Sequence, residues 1–276
     1  MPGCAEVAGH SFHEMPFFLM THISLITATL NAATTLTASL HSVSAQSLLP
    51  EHLIIDGGST DGTLALAARY TEHPLKVFSE PDRGLYDAMN KGLAKASGEI
   101  IGILNADDCY ARRDVLQLVA EAFRDPRIDA CYGDLCYVDG SDAGRVVRYW
   151  RSGAFHYRRF FWGWMPPHPT FFVRRAVYEK YGGFNLALGS AADYELMLRF
   201  LVRHRLQATY LATVLVNMRT GGVSNASFSA RLKANRMDRR AWDVNGLRPY
   251  PWTLFFKPLR KVGQWLVRYR PGSEKA

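Results

Sequence analysis

The chain has 276 residues, 48% of them hydrophobic and 12% aromatic, and carries a net charge of +8. That length suits one large α/β domain with an appendage, and the apolar content suffices for a sizeable core. No apolar run approaches the roughly 20 residues of a membrane-crossing helix, so no span is expected. The charge is uneven: from Phe228 to Ala276 twelve Lys and Arg face three Asp and Glu, a local +9 that leaves the rest of the chain near −1. A near-neutral body with a basic tail points to a surface-docking appendage, whereas a uniformly basic body would point to nucleic acid, and no nucleic-acid partner is expected. Four cysteines, Cys4, Cys109, Cys131 and Cys136, show neither zinc-site spacing nor the density of a disulfide scaffold. Reduced thiols in a cytoplasmic protein are the expectation.

Residues 1–20 include Glu6, His10, His13 and Glu14 before a short apolar patch, without the basic start and long apolar core of a signal peptide. They are expected to be a disordered leader. Strand and helix patterns then alternate: a strand over Ile23–Thr29, a helix over Ala32–Gln46, a strand over Leu53–Asp56, a helix over Thr63–Tyr70 and a short strand over Val77–Ser79. Leu85, Ala88, Met89, Gly92, Leu93 and Ala96 mark one face of a third helix. A strand over Ile100–Leu104 and a helix over Val115–Phe123 follow. Repeated β-α units with short connections imply a parallel sheet covered on both faces. Beyond Ala130 the pattern changes to strands over Cys131–Tyr137 and Val146–Trp150, an aromatic and basic stretch over Phe155–Trp164, and the Pro166-Pro167-His168-Pro169 break. A strand over Thr170–Val173, a helix over Tyr194–Arg203 and a strand over Gln207–Val216 are expected next.

The chemistry gathers where apolar strands end in acid. Leu53-Ile54-Ile55 runs into Asp56-Gly57-Gly58-Ser59-Thr60-Asp61, and Ile100 to Leu104 runs into Asn105-Ala106-Asp107-Asp108. Buried parallel strands present such residues at their carboxyl edge, where open α/β sheets bind ligands. Asp107 and Asp108 repel unless a cation gathers them, and one or two carboxylates are typical protein ligation for a metal-bound nucleotide. Gly58 and the missing twelfth-position Glu exclude a calcium loop, and no Gly-Lys-Ser/Thr ending marks a P-loop.

Taken in order, Asp56-Gly57-Gly58-Ser59-Thr60-Asp61-Gly62-Thr63, Asp82-Arg83-Gly84-Leu85-Tyr86-Asp87-Ala88-Met89-Asn90-Lys91-Gly92 and Gly98-Glu99 through Asp107-Asp108 resemble a family 2 glycosyltransferase of the bacterial exopolysaccharide or O-antigen type. The resemblance spans about Ile23 to Met218. It implies a GT-A-like α/β fold, a Rossmann-type, mostly parallel sheet with helices on both faces over residues 21–220, plus a basic helical appendage over 221–276. It further implies a nucleotide-diphosphate sugar donor held by Thr27, Asn31, Asp56, Arg83, Asp87, Asn90, Asn105 and Asp107. Mg²⁺ or Mn²⁺ would sit on Asp107 with Asp108, although Asn105 stands at the usual first-acid position. Asp193, in Ala192-Asp193-Tyr194-Glu195, takes the place of the general base of an inverting enzyme, with Ala192 where the family usually has Glu. Glu195 has a sufficient role in an i, i+4 pair with Arg199. His168 and Trp164 are candidates to meet diphosphate or acceptor, since sugars stack on aromatic faces. The implied acceptor is a glycan on a polyprenyl diphosphate, met at the inner face of the membrane.

Two other classes compete. A sugar-nucleotide nucleotidyltransferase would carry a Gly-rich loop with Arg or Lys after the first strand, and Thr27-Ala28-Thr29-Leu30-Asn31 has none. A non-enzymatic basic binding protein leaves the strand-end acids unexplained. The tail itself sets Leu259, Val262, Gly263, Leu266 and Val267 on one helical face, with Trp252, Phe255, Phe256 and Trp265 close by, the pattern of a helix lying on an anionic membrane surface.

Overall fold

The computed structural model describes residues 22–142, 144–220 and 228–266, so the expected leader lies outside the described residues. The first half builds β1 (Ile23–Thr29), α1 (Leu36–Ser44), β2 (Glu51–Asp56), α2 (Thr63–Arg69), β3 (Leu75–Ser79), α3 (Leu85–Lys95) and β4 (Ile100–Ile103). β3, β2, β1 and β4 lie side by side in that order with every pairing parallel. β1, β4 and most of β2 are buried end to end, which is why they read as unbroken apolar runs instead of alternating ones.

The second half adds β5 (Asp108–Tyr110), α4 (Val115–Ala122), β6 (Ala130–Val138), β7 (Val146–Trp150), β8 (Phe172–Arg174), α5 (Arg175–Tyr181), α6 (Ala192–Met197), β9 (Ala208–Arg219), α7 (Phe228–Val244) and α8 (Thr253–Leu266). Here the sheet turns mixed: β8 joins β4 and β6 antiparallel, β9 runs parallel to β6, and β5 pairs antiparallel with β9. The mostly parallel sheet expected is seen in full among β3, β2, β1 and β4 and again between β6 and β9, with antiparallel pairings linking these parts. β6 and β7 need only a tight turn between them, which an antiparallel pair permits. α6 continues as a π-helical turn through Leu198–Arg203.

α3 seats directly on β1. A Cβ at Gly92 would lie 2.5 Å from Ile26 Cγ2, so only glycine lets the helix approach this closely. Ala88 and Met89 of the same face join Ile26, Leu53, Ile55, Ile101 and Ile103 in the largest core cluster.

That cluster also includes Ala241 and Trp242 of α7. The Trp242 indole N–H donates to the Tyr194 hydroxyl at 2.9 Å, and the Thr253 hydroxyl at the start of α8 donates to the Phe161 carbonyl at 2.6 Å. α7 and α8 thus pack on the same core as the strands before them. Trp242 packs on Phe161 of the aromatic stretch, so each covers apolar area of the other. Side chains at Val262, Gly263, Trp265 and Leu266 and the whole of Val267 lie outside the described residues. Among the described residues no helix is long and apolar enough to cross a membrane. Cys131 and Cys136 are buried and Cys109 is half-buried, while Cys4 is outside the described residues.

Beneath the β1–β2 pair the His52 ring is 1% exposed, with Nε2 2.9 Å from the Thr27 hydroxyl and Nδ1 2.8 Å from His73 Nε2. Burial first, and then His73, push His52 down to about 3, while burial also lowers His73. In the unfolded chain a histidine titrates near 6.5, so between that pH and about 3 the unfolded state binds the extra proton and folding weakens as pH falls. Between about pH 6.5 and 4.5, before most carboxylates titrate, this one ring should remove on the order of 2 kcal/mol of stability. Denaturant unfolding at these two pH values should show a smaller loss in His52→Gln; equal losses in both proteins would contradict the assignment.

Candidate active site

The strand order reverses between β1 and β4, since β1 leads outward to β2 and β3 while β4 starts the other side. Ligands of open α/β sheets bind at such a switch point, outside the carboxyl ends of the strands. Along that edge stand Asp82 and Arg83 after β3, Asp56 ending β2, Thr29 and Asn31 at the end of β1, and Asn105 and Asp107 after β4.

Asp56 is fully buried and its carboxylate is crowded with donors. Oδ2 accepts the N–H groups of Gly58 (3.0 Å) and Ser59 (2.9 Å) and the Ser79 hydroxyl (2.7 Å), while Oδ1 accepts the hydroxyls of Ser59 (2.5 Å) and Thr29 (3.2 Å). Burial alone would raise this acid; the hydrogen bonds from Ser59, Ser79 and Gly58 outweigh it and hold the carboxyl below its ordinary value. A carboxylate has about four acceptor sites, so five donors leave Asp56 little capacity for a ligand. It shapes the β2 loop that faces the crevice. A Cβ at Gly57 would meet the Asp82 carboxylate at 2.3 Å, which presses the β2 and β3 loops together.

Thr27 does not reach the edge. Its side chain is fully buried on His52, and Thr29, two residues on and in register with Asp56, is the threonine that faces the site. The two-residue period of a strand puts both on one face and only the later one at the end. Asn31 adopts a left-handed backbone (φ 51°), which Asn tolerates better than most residues. Its Oδ1 accepts the Thr60 N–H at 2.9 Å, and its own N–H donates to Ser59 Oγ at 2.8 Å. Asp61 completes this zip by accepting the N–H groups of Ala33 and Thr63. The zipped loop explains why α1 starts at Leu36, later than the expected Ala32.

Arg83 keeps a 79% exposed side chain, paired with Asp87 at 3.1 Å, and Asp87 Oδ2 also accepts the Arg83 backbone N–H at 3.0 Å. Asp87 therefore holds an exposed guanidinium beside the sheet edge. Asn90 makes a different contact from the one expected. Its Nδ2 donates to the Phe184 carbonyl at 2.9 Å and its Oδ1 accepts the Phe184 N–H at 2.8 Å, so the amide clamps α3 to a segment 94 residues away.

After β4, Asn105 Nδ2 donates to Asp108 Oδ2 at 2.9 Å. Asp108 is fully buried in β5, opposite Met218, and burial followed by the charge of Asp107 pushes its carboxyl up to about 8 against that hydrogen bond. Asp107 is half-buried. Asn105 Oδ1 and Asp108 Oδ1 are buried oxygens without a hydrogen-bond partner, and the charge of Asp107 acts on Asp108. Hard oxygen donors of this kind fit Mg²⁺ or Mn²⁺, which need few protein ligands when substrate phosphates supply the rest. Among the described residues no group of three or more His, Cys, Asp or Glu is gathered as a metal cage.

Asp193 lies in the first turn of α6, half-buried, with Oδ1 accepting the Tyr194 N–H at 2.7 Å. Tyr86, on the first turn of α3, lies within electrostatic range of the Asp193 carboxylate; burial and then the Asp193 charge push its phenol far up. Because Tyr86 stands at the carboxyl edge, so does Asp193. Burial lowers His168 against the pull of the same charge, and its ring meets Phe184 edge-on at 5.6 Å, while Tyr86 packs on Phe184 at 5.3 Å. Tyr86 and Phe184 carry no role in the sequence reading, although Tyr86 stands inside the Asp82–Gly92 motif. Behind them Glu195 and Arg199 form a two-pronged pair at 3.0 and 2.9 Å, and Arg199 holds the carbonyls of Tyr181, Gly182 and Gly183. Trp164 is core: 4% exposed, its indole N–H on the Ser152 carbonyl at 2.8 Å, its ring edge-on to Phe160. A cavity of about 420 Å³ between α3 and α5, lined among others by Asn90, Leu93, Arg175, Tyr178 and Gly183, runs from the Asn90 clamp toward the C-terminal end of α3.

The family described as glycosyl transferase family 2 matches residues 24–182, which contain every strand-end acid described above except Asp193. This chain belongs to that family. It is 32% identical over 208 residues to the PGL/p-HBAD biosynthesis glycosyltransferase of Mycobacterium tuberculosis, covering 73% of this chain and 78% of the relative. In fold this glycosyltransferase is similar to S. aureus TarS in complex with UDP-GlcNAc (TM-score 0.66, 19% identity, 89% of this chain and 71% of that one). It is likewise similar to the mannosyltransferase PcManGT of Pyrobaculum calidifontis in complex with GDP-Man and Mn²⁺ (TM-score 0.61, 18% identity, 91% and 76%). The fold is therefore of the GT-A glycosyltransferase type.

For this glycosyltransferase the clamp gives a direct prediction. Asn90→Ala should cost about 2 kcal/mol, since it strands two backbone groups of Phe184, and should leave nucleotide affinity of the folded protein nearly unchanged. Denaturant unfolding and nucleotide titration check both; unchanged stability with weakened nucleotide binding would make Asn90 a ligand contact.

Proposed function

We propose that this glycosyltransferase moves a sugar from a nucleotide-diphosphate donor to a hydroxyl of a glycan acceptor, with inversion at the anomeric carbon. The observation that supports the reading best is the proximity of Asp193 to Tyr86, whose helix begins at the sheet edge that bears Asp107. The Asp193 carboxylate takes the proton of the acceptor hydroxyl, the acceptor oxygen bonds to the anomeric carbon, and the bond from that carbon to the diphosphate breaks on the opposite side. A single in-line displacement inverts the centre. Asp107, with the unpartnered oxygens of Asn105 and Asp108, would hold Mg²⁺ or Mn²⁺, which when bound offsets the charge of the departing diphosphate. Arg83 is long and exposed enough to meet a phosphate, and the β1 and β2 loops shaped by Asn31 and Asp56 frame the nucleoside.

Donor type is supported by the structural neighbours, which hold UDP-GlcNAc and GDP-Man with Mn²⁺. Involvement of the relatives in PGL/p-HBAD biosynthesis supports a cell-envelope acceptor, here a glycan carried on a polyprenyl diphosphate at the inner membrane face. Residues 21–220 supply the catalytic groups, and α7 and α8 complete the same body.

Titrating UDP and GDP into wild type and Asp107→Ala, with and without Mn²⁺, tests the donor side. Mn²⁺ should tighten nucleotide binding in wild type and lose that effect in the variant. Equal affinities in all four cases would overturn the reading.

A further inference from the structure

Five of the large apolar side chains left exposed stand together at one end of the molecule: Trp162, Tyr250, Trp252, Phe255 and Leu259, between 41% and 66% exposed. They come from two places in the chain, a 3-10 helix over Tyr157–Trp162 and the stretch from Tyr250 into α8. Ring centroids of Trp162 lie 5.7 Å from Trp252, 5.9 Å from Phe256 and 6.5 Å from Tyr250, and Tyr250 and Trp252 are 5.2 Å apart. The patch has a firm floor. Phe161 packs on Trp242 at 4.9 Å and on Tyr250 at 5.1 Å, and Thr253 is bonded to the Phe161 carbonyl. Arg158, Arg248 and Arg260 around it are exposed. Arg260 reaches the Trp162 carbonyl at 3.5 Å, and Arg158 lies within electrostatic range of Tyr250. The nearby acid Asp238 is taken by Lys257 at 2.7 Å.

We infer that this composite face, Trp162 with Tyr250, Trp252, Phe255 and Leu259 inside a rim of Arg158, Arg248 and Arg260, docks the enzyme on an anionic lipid bilayer. Tryptophan and tyrosine favour the boundary where one end of the ring is apolar and the other wet, and arginine beside them meets headgroup phosphates. The charge complementarity decides the occupant. A second copy of the chain related by a two-fold axis would set one arginine rim against another, whereas an anionic surface complements it. This face deepens, and for its purpose rests on, the reading of a lipid-carried acceptor. It differs from a detachable basic tail, because Trp162 belongs to the body and α8 is anchored to it by Thr253.

The test is co-sedimentation of the full chain with phosphatidylglycerol-containing and with purely phosphatidylcholine vesicles. Comparison proteins are the triple variant Trp252→Ser/Phe255→Ser/Leu259→Gln and the single variant Phe255→Ser, each checked by thermal melting. Wild type should partition onto anionic vesicles at least tenfold better than onto neutral ones, and less so as salt rises from about 0.1 to about 1 M, where the screening length falls to about 3 Å. The triple variant should lose at least tenfold in partitioning and the single variant a measurable part, both with UDP or GDP binding retained. Wild-type partitioning by a folded single or triple variant, or equal wild-type binding to neutral vesicles, would overturn the inference. So would a wild-type dimer, seen by sedimentation velocity, that the single variant dissociates, since the face would then be a self-contact. Failure of nucleotide binding in wild type with vesicle binding intact would instead count against the donor reading alone.

Discussion

A single side-chain amide joins the two halves of this enzyme's site. Asn90 spends both ends of its amide on the backbone of Phe184, and α3, which carries Asn90, is itself pinned to β1 through Gly92. The first half of the chain thereby fixes where the second half must place its acid. Phe184 is the common floor for Tyr86 and His168, Tyr86 lies within electrostatic range of the Asp193 carboxylate, and Arg199 gathers the carbonyls of 181–183 that lead into Phe184. A backbone group left unpaired in such a setting costs more than a hydrogen bond gains, so the arrangement tolerates few alternatives.

The polar residues at the sheet edge divide by what they still have to offer. Asp56, Asn31 and Asp61 are consumed by their own loops, giving rigidity to the crevice wall. Arg83, Asp107 and the unpartnered oxygens of Asn105 and Asp108 retain capacity toward a ligand. Preorganisation of this kind suits the proposed transfer, in which a flexible diphosphate and an acceptor are held in one geometry. The same economy separates Glu195 from Asp193, two positions away: Glu195 is saturated by Arg199 and Asn245, and Asp193 is not.

Most of the parallel half was legible because β1, β2 and β4 are buried on both faces and so appear as uninterrupted apolar runs, two of them leading into acid. The helical face of α3 was legible for the matching reason, a 3.6-residue period. What escaped were features that depend on partners far along the chain. β5 has only three residues and exists because β9 pairs with it, which turned Asp108 inward. Thr27 and Thr29 share one face of β1, and only the register with β2 decides which meets Asp56. Asn90 stands in a recognisable motif, yet its role is set by Phe184. The charge of residues 221–276 suggested a separate tail, but Trp242 and Thr253 bind it to the aromatic stretch whose apolar area it covers.

Asp193 bears the central claim, that a carboxylate delivered by the second half serves as base for a donor held by the first. Turnover of Asp193→Asn, measured beside donor affinity in the same preparation, tests it most directly, because the amide keeps the shape and cannot accept the acceptor's proton. The account predicts a rate loss of about 10²- to 10⁴-fold with donor binding nearly unchanged. Wild-type turnover by the folded variant would contradict it.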